Sequence, residues 1–136
     1  MNEVFQFLLE NRSGYLATVD ADGKPHARVV GLNFIEDGKL YYALSTQKGM
    51  YAQIRQKPDV ELAVSAKDFS KVVRVTGKAY IADQAELKQK LFENSPALKH
   101  LYQSPDNPIF AAMYIQPESA GSGVSRRTER SNCNGT

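Results

Sequence analysis

Residues 15–44 read YLATVDADGKPHARVVGLNFIEDGKLYYAL, and this stretch decides the predicted fold. Residues 15–19 are rich in β-forming side chains and stop at the turn signal DADG, residues 20–23. Pro25 then opens a second extended run, residues 26–35, which the turn residues Glu-Asp-Gly separate from a third, residues 39–44. Three strands joined by short acidic and glycine-containing turns predict an antiparallel meander.

The flanking sequence adds three more strands and a few short helices. Apolar residues at helical spacing in residues 4–9 predict an N-terminal helix, and residues 50–56 predict a short one closed by Pro58. Two further helical pieces are expected in residues 85–102, the second starting at Pro96. The remaining strands are residues 60–66, 72–81 and 109–115. Six strands with flanking helices predict a mainly β fold, a closed or nearly closed antiparallel barrel rather than an alternating βαβ sheet.

The length and composition indicate one globular domain followed by a tail. A chain of 136 residues is long enough for a single core. We assign residues 1–120 to that domain. Residues 121–136 are rich in Ser, Arg, Asn and Gly and contain almost no large apolar side chain, so we expect them to be a disordered tail.

Charge, hydropathy and cysteine content exclude several classes of protein. The net charge of +2, partly due to tail arginines, does not form the basic face of a dedicated nucleic-acid binder. No apolar run approaches the roughly 18 residues of a membrane span. The single cysteine, Cys133, has no partner in the chain for a disulfide, which fits a reducing compartment. We therefore expect a soluble, cytoplasmic protein.

Searches for conventional catalytic motifs also fail. His26, His100 and Cys133 lack metal-ligand spacing, so no metal site is expected. The chain has no Gly-Lys-Ser/Thr phosphate loop, no dinucleotide fingerprint and no nucleophile elbow. These absences argue against a P-loop enzyme or a conventional hydrolase.

One constellation points instead to a bound phosphate. Arg28 lies in an otherwise apolar strand, where alternation places it on the same face as Val30, and a guanidinium in that setting needs an anionic partner. Ser45 and Thr46 end the third strand and Lys48 begins the next helix, a natural anion cradle. The alternatives are an ion pair of Arg28 with Glu36 or Asp37, and a simple helix N-cap formed by the hydroxyls.

Other residues allow two interpretations each. The apolar run of residues 29–32 could form a flat wall for an aromatic ring, with Gly31 permitting close approach, or it could be core. Arg74 fits a structural salt bridge better than a ligand contact. His26 is expected in a surface loop, although its place just before the Arg28 strand would suit a proton donor.

An ordered series of motifs resembles a known family. The series comprises GYLATVD, DGKPHARVV, DGKLYYA, QKGMYAQIRQKPDVE, VRVTGKA and SPALKHLY followed by SPDNPIF. Over about residues 3–117 it resembles the FMN-binding split barrels related to pyridoxamine 5′-phosphate oxidase, and within them the short bacterial branch akin to nitroimidazole-resistance proteins. That resemblance implies a six-stranded antiparallel split β-barrel with a few short helices.

The resemblance also implies a homodimer with FMN at the subunit interface. It assigns the cofactor phosphate to Arg28, Ser45, Thr46 and Lys48, and the isoalloxazine ring to the backbone around Val29, Val30, Tyr42 and Ala43. It assigns no catalytic residue. The chain lacks the C-terminal Arg-x-His motif of the true oxidases, and Val72 replaces a flavin-contacting Gln, which argues against vitamin B6 oxidation. The sequence beyond Gly121 also differs from the aromatic final strand of the short branch.

The leading functional expectation is an FMN-dependent oxidoreductase that reduces nitro compounds or another small molecule with a nicotinamide electron donor. The first alternative is a non-catalytic flavin- or haem-binding protein used for storage, sensing or stress response. A dimerisation module with a decayed site and a deazaflavin-binding protein are the others.

Overall fold

The computed structural model describes residues 2–124, which form seven strands and four short helices. The longest helix has 10 residues, and no helix in this part of the chain is long and apolar enough to cross a bilayer. The predicted helices are confirmed, including the break before Pro96. In chain order the elements are α1 (Asn2–Glu10), β1 (Ser13–Val19), β2 (Pro25–Gly31), β3 (Phe34–Glu36), β4 (Lys39–Ser45), α2 (Gly49–Gln56), β5 (Asp59–Ser65), β6 (Lys71–Ile81), α3 (Ala85–Asn94), α4 (Pro96–Tyr102) and β7 (Phe110–Val124).

All seven strands belong to one antiparallel sheet with the order β2-β1-β5-β6-β7-β4-β3. The sheet curls so that its two ends, which are consecutive along the chain, approach each other. Strands β2 and β3 are joined only by Leu32 and Asn33. The arrangement is the predicted split barrel, with the split between β2 and β4.

The predicted three-stranded meander is wrong, because residues 26–35 do not form one strand. The backbone N–H of Leu32 donates to the carbonyl of Arg12, whereas the N–H of Asn33 donates to the carbonyl of Tyr41, both at 2.9 Å. The chain therefore leaves one end of the sheet at Leu32 and joins the other end at Asn33. This break explains why the structure has seven strands where the sequence predicted six.

The last strand, β7, is longer than predicted and continues to Val124. The predicted end at Ile115 reflected the polar, proline-containing sequence that follows. Pro117 is accommodated where the β6–β7 register shifts, between Thr76 and Gly77. The predicted tail thus starts too early at Gly121, and the rest of it, residues 125–136, lies outside the described residues.

Two apolar clusters fix the curled sheet. The larger fills the concave side and includes Leu16, Leu40, Val73 and Ile115, each 1% exposed or less. The smaller packs α3 and α4 against the outside of β4 and β7, where its residues are Phe34, Tyr41, Leu91, Phe92, Leu98, Phe110 and Ala112. Because opposite faces of β4 are buried in the two clusters, this wall of the split is held rigidly.

Candidate functional site: the cleft between β2 and β4

The split in the barrel is a cleft between two strand edges. Strand β2 pairs only with β1, and β4 pairs with β3 only through Lys39, Leu40 and Tyr41. The outer edge of β4 from Tyr42 onward therefore has no strand partner in the sheet. A cavity of about 780 Å³ lies where β2 passes into β3, and both Gly31 of β2 and Ala43 of β4 line it. The two strands thus present backbone edges to one shared space.

Arg28 lies three residues before Gly31 on β2, does not itself line this cavity, and has only neutral partners. Its Nη1 donates to Thr18 Oγ1 at 2.7 Å and more weakly to the carbonyl of Leu16 at 3.4 Å, while Nη2 donates to Gln53 Oε1 at 3.0 Å. The side chain is half-buried on the same face as Val30, as predicted. Burial lowers the pKa of Arg28, because the charged form loses solvation.

The alternative ion pair of Arg28 is not formed. Glu36 instead accepts a hydrogen bond from Lys90 Nζ at 2.6 Å. Within residues 2–124, no carboxylate lies within ion-pair distance of the Arg28 guanidinium. The half-buried charge of Arg28 therefore has no counter-charge among these residues, which is energetically unfavourable.

Gln53 connects Arg28 to the start of α2. Its Oε1 accepts hydrogen bonds from both Arg28 and the hydroxyl of Thr18, the latter at 2.5 Å. Its Nε2 lies 3.3 Å from the position that a Cβ on Gly49 would occupy. The amide therefore spans the first turn of the helix, with its donor end near the helix N-terminus. Arg28 is thus connected to α2 through a glutamine that the sequence interpretation missed, and the joint phosphate cradle of Arg28 with Ser45, Thr46 and Lys48 stays a prediction.

Lys48 occupies the N-cap position of α2, where the sequence interpretation had considered Ser45 and Thr46. Lys48 has extended backbone angles, and its side chain makes no capping hydrogen bond. The hydroxyl of Ser45 instead accepts from the backbone N–H of Gln47 at 3.2 Å, and the N–H of Thr46 donates to the carbonyl of Ile109. The helix start therefore presents backbone donors and a lysine, the groups that bind anions at helix N-termini.

The predicted ring-binding residues differ in what they can offer. Val30 and Tyr42 are buried with their side chains in the core, and burial raises the pKa of Tyr42. Their backbone groups alone remain for a ligand. Val29, which is 60% exposed, and half-buried Ala43 can also contribute side chains. A Cβ at Gly31 would meet nothing within 4 Å, so this part of the wall is open.

Two other residues singled out by the sequence, Arg74 and His26, have defined partners. Arg74 Nε lies 3.8 Å from Glu61 Oε2 on the exposed face, which is the predicted structural salt bridge. His26 lies in β2, and its Nε2 is 2.8 Å from Asp20 Oδ2. Sequence reasoning missed Thr18, although a polar residue on the inward face beside Leu16 was a signal that a buried hydroxyl needs a partner.

Replacing Thr18 by valine tests the hydrogen-bonded support of Arg28. The substitution keeps the shape of a fully buried side chain but removes the hydroxyl that joins Arg28 to Gln53. We expect a loss of about 1–2 kcal/mol in the free energy of unfolding, measured by urea denaturation. Thr76→Val, on the outward face of β6, is the matched control: it removes an exposed hydrogen bond to Ser119, whose hydroxyl water can satisfy, and it should change stability by less than about 0.5 kcal/mol. Equal effects at both positions would contradict a special role for Thr18.

Comparisons with known proteins show the family of this chain and agree with the fold. The family model described as pyridoxamine 5′-phosphate oxidase matches residues 1–122. The chain is 33% identical over 120 residues to general stress protein 26 of Bacillus subtilis, covering 85% of this chain and 82% of that protein. A NimC/NimA family protein of Clostridium acetobutylicum is similar in structure, with a TM-score of 0.77, 32% identity, and coverage of 94% and 88% of the two chains. General stress protein 26 of Bacillus anthracis gives a TM-score of 0.75 at 28% identity, covering 88% of this chain and 91% of that one.

Proposed function

Because this chain belongs to the pyridoxamine 5′-phosphate oxidase family, we propose that it binds FMN in the cleft between β2 and β4 and acts as a flavin-dependent oxidoreductase. In this proposal Arg28 and the start of α2, with Lys48 and the segment of Ser45 and Thr46, hold the phosphate. The backbone of Val29, Val30, Tyr42 and Ala43 lines the ring.

The observation that carries the proposal is the unpaired charge of Arg28. A guanidinium taken partly out of water with only neutral acceptors loses solvation energy that those acceptors do not fully restore. A phosphate would restore it, since the planar fork of Arg matches two phosphate oxygens. The nearby N-terminus of α2 favours the same negative charge.

The two walls of the cleft fit a planar heterocycle. Strand edges without a partner strand offer backbone N–H and C=O groups, which suit the polar edge of an isoalloxazine ring. Gly31 leaves room for close approach. Bound FMN would supply the electron-transfer chemistry, while the chain binds and orients it. We assign no catalytic side chain, and we propose a small-molecule substrate with a nicotinamide electron donor.

We include a second copy of this chain as the partner that completes the site. Tyr15 and Val29 are directly paired on the outer face of β1 and β2, and both are about 60% exposed. They border a shallow cavity of about 250 Å³ that extends from Val29 over β1, β5 and β6. This apolar surface adjoins the cleft, so a partner that covers it would also close the open side of the cleft.

The proposal is tested by titrating the purified full-length protein with FMN. We expect quenching of flavin fluorescence with one FMN per chain, and co-elution of the flavin absorption bands with a dimer in gel filtration. Riboflavin, which lacks the phosphate, is the matched control ligand and should bind at least about tenfold more weakly, as expected for a lost charge-assisted contact. Equal affinity for both ligands would contradict the phosphate site, and no binding of either would overturn the flavin proposal.

The second candidate function is a stress protein that holds flavin without turnover. It is favoured by the 33% identity to a protein named for general stress. Anaerobic addition of NADH or NADPH separates the two functions. Bleaching of the flavin absorption followed by reoxidation with a nitroaromatic acceptor supports the oxidoreductase, whereas an unchanged spectrum supports the holding function. A Soret band in the isolated protein would indicate haem instead.

A further inference from the structure

His26 lies beside Arg28 on the inward face of β2. In the β1–β2 ladder, Thr18 is paired with His26 and Leu16 with Arg28. Residues two apart on a strand share a face. The side chains of His26 and Arg28 therefore leave β2 on the same side, which is the side on which α2 lies. The His26 side chain is 44% exposed and therefore remains accessible to solvent and ligand.

The head group of Arg28 extends toward His26 rather than away from it. Its Nη1 donates to Thr18 Oγ1 at 2.7 Å, and Thr18 is the residue directly opposite His26. Directly paired residues in an antiparallel ladder have Cβ atoms about 5 Å apart. A ligand oxygen that reaches the guanidinium would thus lie on the same face of the β1–β2 hairpin as the imidazole.

Asp20 holds the imidazole in place and remains ionised. Its Oδ2 lies 2.8 Å from His26 Nε2, while its Oδ1 accepts the backbone N–H groups of Asp22 and Lys24, both at 2.9 Å. The hydrogen bond from His26 is the main reason that the pKa of Asp20 lies below its usual value, and the turn amides add to it. With neutral His26 the formal charges of Asp20, His26 and Arg28 sum to zero, and with protonated His26 they sum to +1.

We propose that His26 is a second, proton-dependent cation of the Arg28 anion site, so that the cleft binds its anion more tightly when His26 is protonated. This inference rests on the proposed binding of an anion at Arg28. The other groups near His26 do not provide the same pH-dependent change in charge. Thr18 and Gln53 are neutral, Asp22 and Lys24 of the adjoining turn have opposite charges, and histidine is the side chain that ordinarily changes charge between pH 5 and 8.

The test uses sulfate as the probe, because its charge is constant across this pH range whereas that of a phosphate monoester is not. Sulfate is titrated into the flavin-free full-length protein at pH 5.5 and pH 8.5, and amide chemical shifts of β2 and α2 are followed by NMR. We expect affinity to be about 3- to 10-fold higher at pH 5.5, from one added unit charge some 5–7 Å from the ligand at a partly solvated site.

His26→Gln and His100→Gln form a matched pair, since these are the two histidines of the chain. Glutamine at position 26 can still donate to Asp20, and His100 is exposed on α4. We expect the ratio of the sulfate affinity at pH 5.5 to that at pH 8.5 to fall to about one in His26→Gln. The same ratio should be unchanged in His100→Gln. Retention of the ratio in His26→Gln, or failure of sulfate to perturb β2 at either pH, would overturn the proposal.

FMN titration of the same variants at pH 8.5 separates this inference from the proposed function. If FMN binds and the sulfate ratio survives in His26→Gln, only the role of His26 is wrong. If FMN does not bind but sulfate shows the His26-dependent ratio, the anion switch stands and the flavin proposal fails.

Discussion

Replacing Arg28 by methionine should weaken FMN binding by about 1.5–3 kcal/mol, which is roughly 10- to 150-fold, while leaving the fold intact. The guanidinium is a half-buried cation that ion-pairs with no carboxylate among residues 2–124. Removing it deletes a charged contact to the phosphate but breaks no ion pair within the protein. Thr18 and Gln53 would still hydrogen-bond to each other. Fluorescence titration of FMN measures the effect.

The same variant should not lower the stability of the flavin-free protein. Because Arg28 loses solvation without gaining a counter-charge, methionine of similar volume should leave the free energy of unfolding of the flavin-free protein unchanged or higher. Arg74→Met is the control, since Arg74 forms an exposed pair with Glu61, and it should leave FMN affinity unchanged. Unaltered FMN affinity in Arg28→Met would remove Arg28 from the site, and a large loss of stability would make its role structural.

Replacing Gly77 by alanine should cause the largest loss of stability among the substitutions considered. Gly77 is buried in β6 at the register shift, and an added Cβ would overlap the carbonyl oxygen of Gln116. It would also lie 3.1 Å from Pro117 Cα, so the clash is with backbone that cannot rotate away. We expect a loss of about 3 kcal/mol in the free energy of unfolding, measured by urea denaturation.

Gly121→Ala is the matched control for this prediction. Gly121 lies in β7 opposite Arg74 of the same β6 strand, and a Cβ there would meet nothing within 4 Å. We expect its effect to remain below about 0.5 kcal/mol. If the two variants were equally stable, the close approach of β6 and β7 at Gly77 would not be required by the fold.

The strands that could be predicted from sequence are those bounded by strong turns. The turn after Val19 and the turn before Lys39 carry glycines with positive φ, Gly23 and Gly38, and both were recognised from composition. The break at Leu32 and Asn33 has no such signal. It arises because two distant backbone carbonyls, those of Arg12 and Tyr41, take the two N–H groups. Local patterns do not report such long-range pairing.

The candidate site, like the strands, could be predicted from the sequence only in part. Arg28 stood out because a charge in an apolar strand is unusual, and Lys48 because it follows two hydroxyl residues at a helix start. The resemblance added the ring-lining positions Tyr42 and Ala43. Gln53 gave no signal, since a glutamine within a helix is ordinarily solvent-facing. Its role depends on the packing of α2 over the end of β1, which brings its amide to both Thr18 and Arg28. Side-chain networks of this kind follow from tertiary structure alone.

The position of β2 and β4 at opposite ends of one sheet has a consequence for how the cleft forms. The β1–β2 wall is a local hairpin, whereas β4 acquires its long-range partner only when β7, near the other end of the chain, has docked. Contacts between distant parts of a chain carry the largest loop-closure cost, so we expect them to be made late in folding. Only a fully folded chain would then offer the cleft to a ligand. Ligand binding would therefore indicate that the whole barrel has formed. A substitution that disrupts β7 would weaken ligand binding at Arg28, although β7 and β2 are not neighbours in the sheet.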